Sequence, residues 1–127
     1  MSKTAVALPK TTKDITVLDH DYIVKFPNNG QFIEIEVMKA HMTRDAYNTI
    51  ASGNSVSSMQ ARFTVDMIAF FSVCCPKLRT DLKVDSFSEL DMLTSKDILN
   101  VYLKEVLPWL SEWEMVLNAA DEVSDES

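Results

Sequence analysis

Glycine is scarce in this chain: Gly30 and Gly53 are the two in 127 residues. A loop that cradles phosphate needs several glycines close together, so nucleotide binding of that kind is excluded. Cysteine is equally scarce. Cys74 and Cys75 are neighbours, and a ring between adjacent residues strains the peptide and cannot sit in a regular helix. They read as buried, reduced thiols. The two histidines, His20 and His41, stand far apart without paired spacing, which leaves a metal centre short of ligands. No serine, cysteine or histidine set suggests an activated nucleophile. Glu34 and Glu36 alternate on what reads as a solvated strand face. The expectation is no catalytic residue, no metal, no cofactor and no enzymatic activity.

Long hydrophobic runs are missing as well. The greasiest stretch, residues 65–75, is broken by Asp66 and Ser72 and falls well short of the ~20 residues that cross a bilayer. Positive charge is in deficit: the net charge is −7 and the pI about 4.7. A phosphate backbone needs a basic face, so nucleic acid is not an expected partner. The sequence therefore predicts a soluble protein that binds neither membrane nor nucleic acid.

Apolar residues make up 46% of the chain. That is enough to build one core at a length that normally makes one domain. Residues 1–14 lack a strong period and read as a flexible arm. Residues 15–118 read as a single α+β domain, mainly α-helical, with an N-terminal β-hairpin packed on a bundle of about four helices. Residues 119–127 hold Asp121, Glu122, Asp125 and Glu126 and read as a disordered acidic tail.

Residues 15–18 could extend as a short strand. The hairpin is expected over residues 21–38, turning at Asn29-Gly30, a dipeptide that favours a type I′ turn. In that register Tyr22 faces Val37, Val24 faces Ile35 and Phe26 faces Ile33, all on one apolar side. Lys25 faces Glu34 on the other. The hairpin packs on helices or, alternatively, pairs its edges with another subunit.

Residues 43–51 read as a short helix capped by Thr43 and closed near Gly53. Asn54 or Ser55 then caps a long helix that ends before Pro76. Its stripe is Met59, Phe63, Met67, Phe70 and Cys74, widened by Val65, Ile68, Phe71 and Val73. A helix apolar nearly all round is central in a core or meets a partner. Asp66, the exception, is expected to reach the helix rim or to pair with a base such as Lys77 or Arg79. Ser86 and Glu89 form a capping box, and Thr94 to Asp97 a weaker one. The last helix carries the seam Leu99, Leu103, Val106, Leu110, Trp113 and Leu117. Pro108 falls inside it and predicts a bend without a stop.

Two segments together resemble the short tail assembly chaperones of long-tailed bacteriophages: FTVDMIAFFSVCCPKLRTDLKVDSFSELD (residues 63–91) and YLKEVLPWLSEW (residues 102–113). The likeness rests on the apolar helix ending at Pro76-Lys77-Leu78, on Asp81-Leu82, Ser86-Phe87 and Leu90, and on Tyr102 followed by Val106-Leu107-Pro108-Trp109 and Trp113. It covers about half the chain. The resemblance implies an assembly factor in the host cell cytoplasm. Several copies would coat the helical tape-measure protein and keep it soluble. A longer, frameshifted form would recruit the tail-tube protein, and the chain could form a homo-oligomer. The candidate partner-binding residues are Phe63, Met67, Phe70, Phe71, Trp109, Leu110 and Trp113, large apolar groups of the kind that anchor interfaces. The same residues are what a core of this size requires. Alternative readings are a virion tail structural or adaptor protein and, less in keeping with acids gathered in the tail, an acidic inhibitor.

Overall fold

The computed structural model describes residues 8–126, with side chains through Asn118. The chain is α+β and mainly helical, with an N-terminal hairpin packed on helices. Strand β1 spans Thr12–Val17 and β2 spans His20–Lys25, antiparallel, with Ile15 opposite Tyr22 and Val17 opposite His20. The loop is Leu18-Asp19, both at positive φ, 50° and 69°. That is the type I′ pattern, whose twist matches the strands it joins. Alternation then buries Ile15, Val17, Tyr22 and Val24 on one face.

The hairpin thus lies earlier than the Asn29-Gly30 signal predicted. Tyr22 and Val24 do face the core, but their partner strand is β1. Residues Asn29–Met42 form helix α1. Asn28, expected beside a turn, is instead an N-cap: its Oδ1 accepts from the Gln31 amide at 2.8 Å while Gln31 Oε1 accepts from the Asn28 amide at 3.1 Å. This reciprocal cap satisfies two helix-end donors at once. Pro27 precedes it and cannot extend the ladder of β2.

Helix α1 closes at Thr43, whose hydroxyl donates to the Lys39 carbonyl, so Thr43 ends a helix and does not begin one. Helix α2 is the single turn and a half Tyr47–Ala51. Gly53 follows without positive φ. Its reason is space, since a Cβ there would run into the Ser58 side chain. Ser55 caps α3, Val56–Cys74, through the Ser58 amide, as expected. Helix α3 is central: α1, α2, α4, α5 and the turn at Phe87–Glu89 all pack on it. Met67, Ile68, Ala69, Phe70 and Phe71 are buried in succession for that reason.

Pro76 starts helix α4, Pro76–Asp81. The Arg79 guanidinium ties down the following loop by donating to the Val84 and Asp85 carbonyls. Ser86 caps only a 3-10 turn, its oxygen accepting from the Ser88 amide, so the expected box with Glu89 does not close. Helix α5, Met92–Val101, is capped by Asp91, three residues before the predicted Thr94. The Asp91 carboxylate accepts from the Thr94 amide and hydroxyl, which holds it below its ordinary pKa.

A π turn, Tyr102–Val106, joins α5 to α6, Leu107–Glu126. Pro108 lacks the amide that would bond to Lys104, and its ring crowds that carbonyl. The wider π turn just before it relieves the conflict, and the helix continues as α6. The helical backbone runs through Glu126; neither proline nor glycine follows Pro108 to stop it. The expected arm gives up residues 12–14 to β1, while its residues 1–7 lie outside the described ones.

Candidate protein-interaction surface

Helix α1 carries more apolar residues than it can bury. The alternation Phe32-Ile33-Glu34-Ile35-Glu36-Val37 suits a strand, and on a helix it scatters the large groups round the axis. Ile35 alone is fully buried, with Met38 and Met42 packed partly against the core. Phe32, Ile33 and Val37 are left 58%, 61% and 61% exposed. Ile33 and Val37 lie one turn apart on the outward side. Phe32 overhangs a groove between α1 and α6.

That groove has a volume of about 680 Å³. Ile35, Phe70 and Tyr102 form its floor. Phe26 and Phe32 stand on the α1 side; Leu107, Leu110 and Leu117 stand on the α6 side. The mixture of apolar walls with a few polar groups is that of a binding groove. Glu36, Lys39, Asp66 and Glu114 provide the charge along it.

The polar end is organised around Asp66. Its carboxylate accepts from the Tyr47 hydroxyl at 2.6 Å and lies 3.7 Å from Lys39 Nζ and 3.9 Å from Arg62 Nε. Lys39 is also 2.8 Å from Glu36. Its partners on α1, α2 and α3 thus replace the expected Lys77 and Arg79. Burial works against the Lys39 charge, but Glu36 and Asp66 together outweigh it and raise the pKa. Burial and the hydrogen bond to Asp66 push the Tyr47 hydroxyl up, and burial does the same to Tyr102. The cluster braces three helices.

The thiols are quiet. Burial, then Cys75 and Glu34, push Cys74 up to about 11, and burial raises Cys75. Both are protonated at neutral pH, the inert state of a thiol. Among the described residues, no group of three His, Cys, Asp or Glu side chains could hold a metal ion, and no helix is long and apolar enough to cross a membrane.

The seven predicted partner-binding residues divide. Phe70 and Leu110 meet in the groove. Met67 and Phe71 are wholly buried and Phe70 nearly so; Phe71 packs on Phe87 and Tyr102, and Phe70 on Tyr102. Met67 and Phe71 therefore serve the core, the other role the sequence left open for them, while Phe70 serves both the core and the groove floor. Phe63 is half-buried beneath the Arg62 guanidinium, 5.0 Å from the ring centre. Trp109 is buried and Trp113 partly so. Both indoles donate to the Lys10 carbonyl, at 2.8 and 3.0 Å, and both rings pack on Phe26. The tryptophans clamp the start of the hairpin to α6.

Sequence reasoning missed Ile33 and Val37 as exposed groups because it placed them on an inward strand face, and it gave Phe32 no role. The signal that could have found them is the Asn28-x-x-Gln31 cap ahead of an apolar run. No protein-family model, curated protein or solved structure matches the chain.

Proposed function

We propose that the chain is a tail assembly chaperone of a long-tailed phage, which binds and solubilises the tape-measure protein by reversible contact. The observation that carries the reading is an apolar surface: Phe32, Ile33 and Val37 stand in solvent beside the α1–α6 groove. A long amphipathic helix exposes a stripe that aggregates unless covered. A groove between two helices, with apolar walls and a polar end, suits such a stripe. Three side chains, each already partly buried, would add roughly 3–5 kcal/mol per copy on full burial, strong enough to coat and weak enough to release. Recruitment of tail-tube subunits would fall to a longer, frameshifted form, and the work is done in the host cytoplasm.

Co-expression with the tape-measure protein tests the reading. The partner should be insoluble alone, and should become soluble and copurify with the chain. A partner that is soluble by itself, or never copurifies, removes the proposal.

A further inference from the structure

Among the described residues, the outer edge of the two-stranded sheet makes no backbone hydrogen bond. A two-residue loop makes Val17 and His20 a pair that exchanges hydrogen bonds, so His20, Tyr22 and Val24 turn their amides to β1. The Phe26 amide continues that alternation, donating to the Thr11 carbonyl at 2.8 Å. Asp21, Ile23 and Lys25 therefore point their amides and carbonyls away from β1, and their side chains onto the exposed face. Helix α5 and the π turn pack on β1, on the far side of the sheet from this edge.

We propose that β2 pairs through this edge with β2 of a second copy, antiparallel about a two-fold axis at Ile23, giving a four-stranded sheet. The axis sets Ile23 against its own copy, and Ile23 is 67% exposed in the single chain. The same axis sets Asp21 opposite Lys25 of the second copy, and Lys25 opposite its Asp21. All three pairs are of the kind that exchanges two backbone hydrogen bonds. Opposite charges facing across strands attract, and like charges repel. An axis at Asp21 or at Lys25 sets like charges together, and an axis between those positions sets Ile23 against a charge. The edge charges thus admit one register and discourage the rest, which is how an open edge avoids promiscuous pairing. The contact is isologous, so it closes as a dimer. It does not rest on the chaperone reading, because it uses no residue of the groove or of α1.

Sedimentation equilibrium of the full chain tests it. Wild type should show a concentration-dependent dimer. Asp21→Lys and Lys25→Asp should each weaken association about tenfold, and the double reversal should restore it to within about twofold. The Asp21 bond to the Thr16 hydroxyl is lost in Asp21→Lys alone and in the double variant alike, so it cannot account for the rescue. Ile23→Pro removes an outward amide that β1 does not use and should abolish the dimer while the chain still melts cooperatively. A wild type that stays monomeric up to millimolar concentration overturns the proposal. So does association indifferent to the single reversals, a double reversal without rescue, or a dimer that survives in folded Ile23→Pro. Should Ile23→Pro fail to fold, the charge cycle decides alone.

Discussion

Replacing Ile33 and Val37 with glutamine, together, asks whether the outward side of α1 holds a partner. Each residue is 61% exposed. Full burial of such a side chain contributes about 1.5–3 kcal/mol, so the remaining exposed part of each is worth roughly 1–2 kcal/mol to a partner that covers it. The pair should then cost about 2–4 kcal/mol of binding, a loss of affinity of roughly 30- to 1000-fold. The isolated chain should hardly notice. Glutamine is a better helix former than either β-branched residue by a few tenths of a kcal/mol, and that gain offsets part of the packing given up within the chain. The net change in stability should stay within about 1 kcal/mol. Phe71→Ala, from the buried centre of α3, should instead cost about 3–5 kcal/mol and leave the surface unchanged. Urea melts by circular dichroism measure the stability of both variants, and copurification with the long helical partner measures the binding. A folded glutamine variant that still holds the partner soluble at the wild-type level would refute the assignment of α1. Collapse of its melting transition would refute the claim that these side chains stand outside the core.

Three further outcomes are expected. Leu18 and Asp19 both sit at positive φ, where asparagine and glycine are comfortable, so Leu18→Asn with Asp19→Gly should raise stability by about 1 kcal/mol, read as a later urea midpoint at unchanged slope. Burial, with the hydrogen bond to Asp81, pushes the Tyr22 hydroxyl from 10.0 up to about 12. The folded chain then keeps that proton longer than the unfolded one, so the contribution is complete below pH 10 and is lost as pH rises through 12; melts across this window should show a loss of about 1–2 kcal/mol that Tyr22→Phe lessens. Asp66→Ala leaves Tyr47 and Lys39 without their shared acceptor and should cost about 2 kcal/mol, whereas Arg62→Ala, whose guanidinium is far more exposed, should cost under about 1 kcal/mol in the same melts.

Where one local preference acted alone, the sequence was readable. Asn54 or Ser55 before an apolar run and Pro76 after it bracket α3 closely, and Ser55 is the cap that forms. The seam continues past Pro108 through Leu110 and Trp113, with a π turn, invisible in the spacing, taking up the misfit, but Leu117 at its end stands exposed. The alternation of Tyr22 and Val24 correctly told which side faces inward. It could not tell which strand lies alongside. Asn29-Gly30 offered a turn and Asn28-x-x-Gln31 offered a cap; the cap prevailed, since Ile15 and Val17 already supplied β2 with a partner through a loop that contains no glycine. That one choice moved Ile33 and Val37 from inside to outside, and the candidate surface with them. For α3, composition could not separate a central helix from a sticky one. Helices packed around it decide the matter, and that packing joins segments far apart in the chain.

The Lys10 carbonyl has two lone pairs, and Trp109 and Trp113 take both, across 99 and 103 positions of chain. The join belongs to the backbone, so the side chain at position 10 can vary without touching it, but a cut that removes that one peptide unit frees both indoles in a single event. The first strand and the last helix should therefore let go together, and hydrogen exchange at β1 and at the Trp109 turn should share one opening rate.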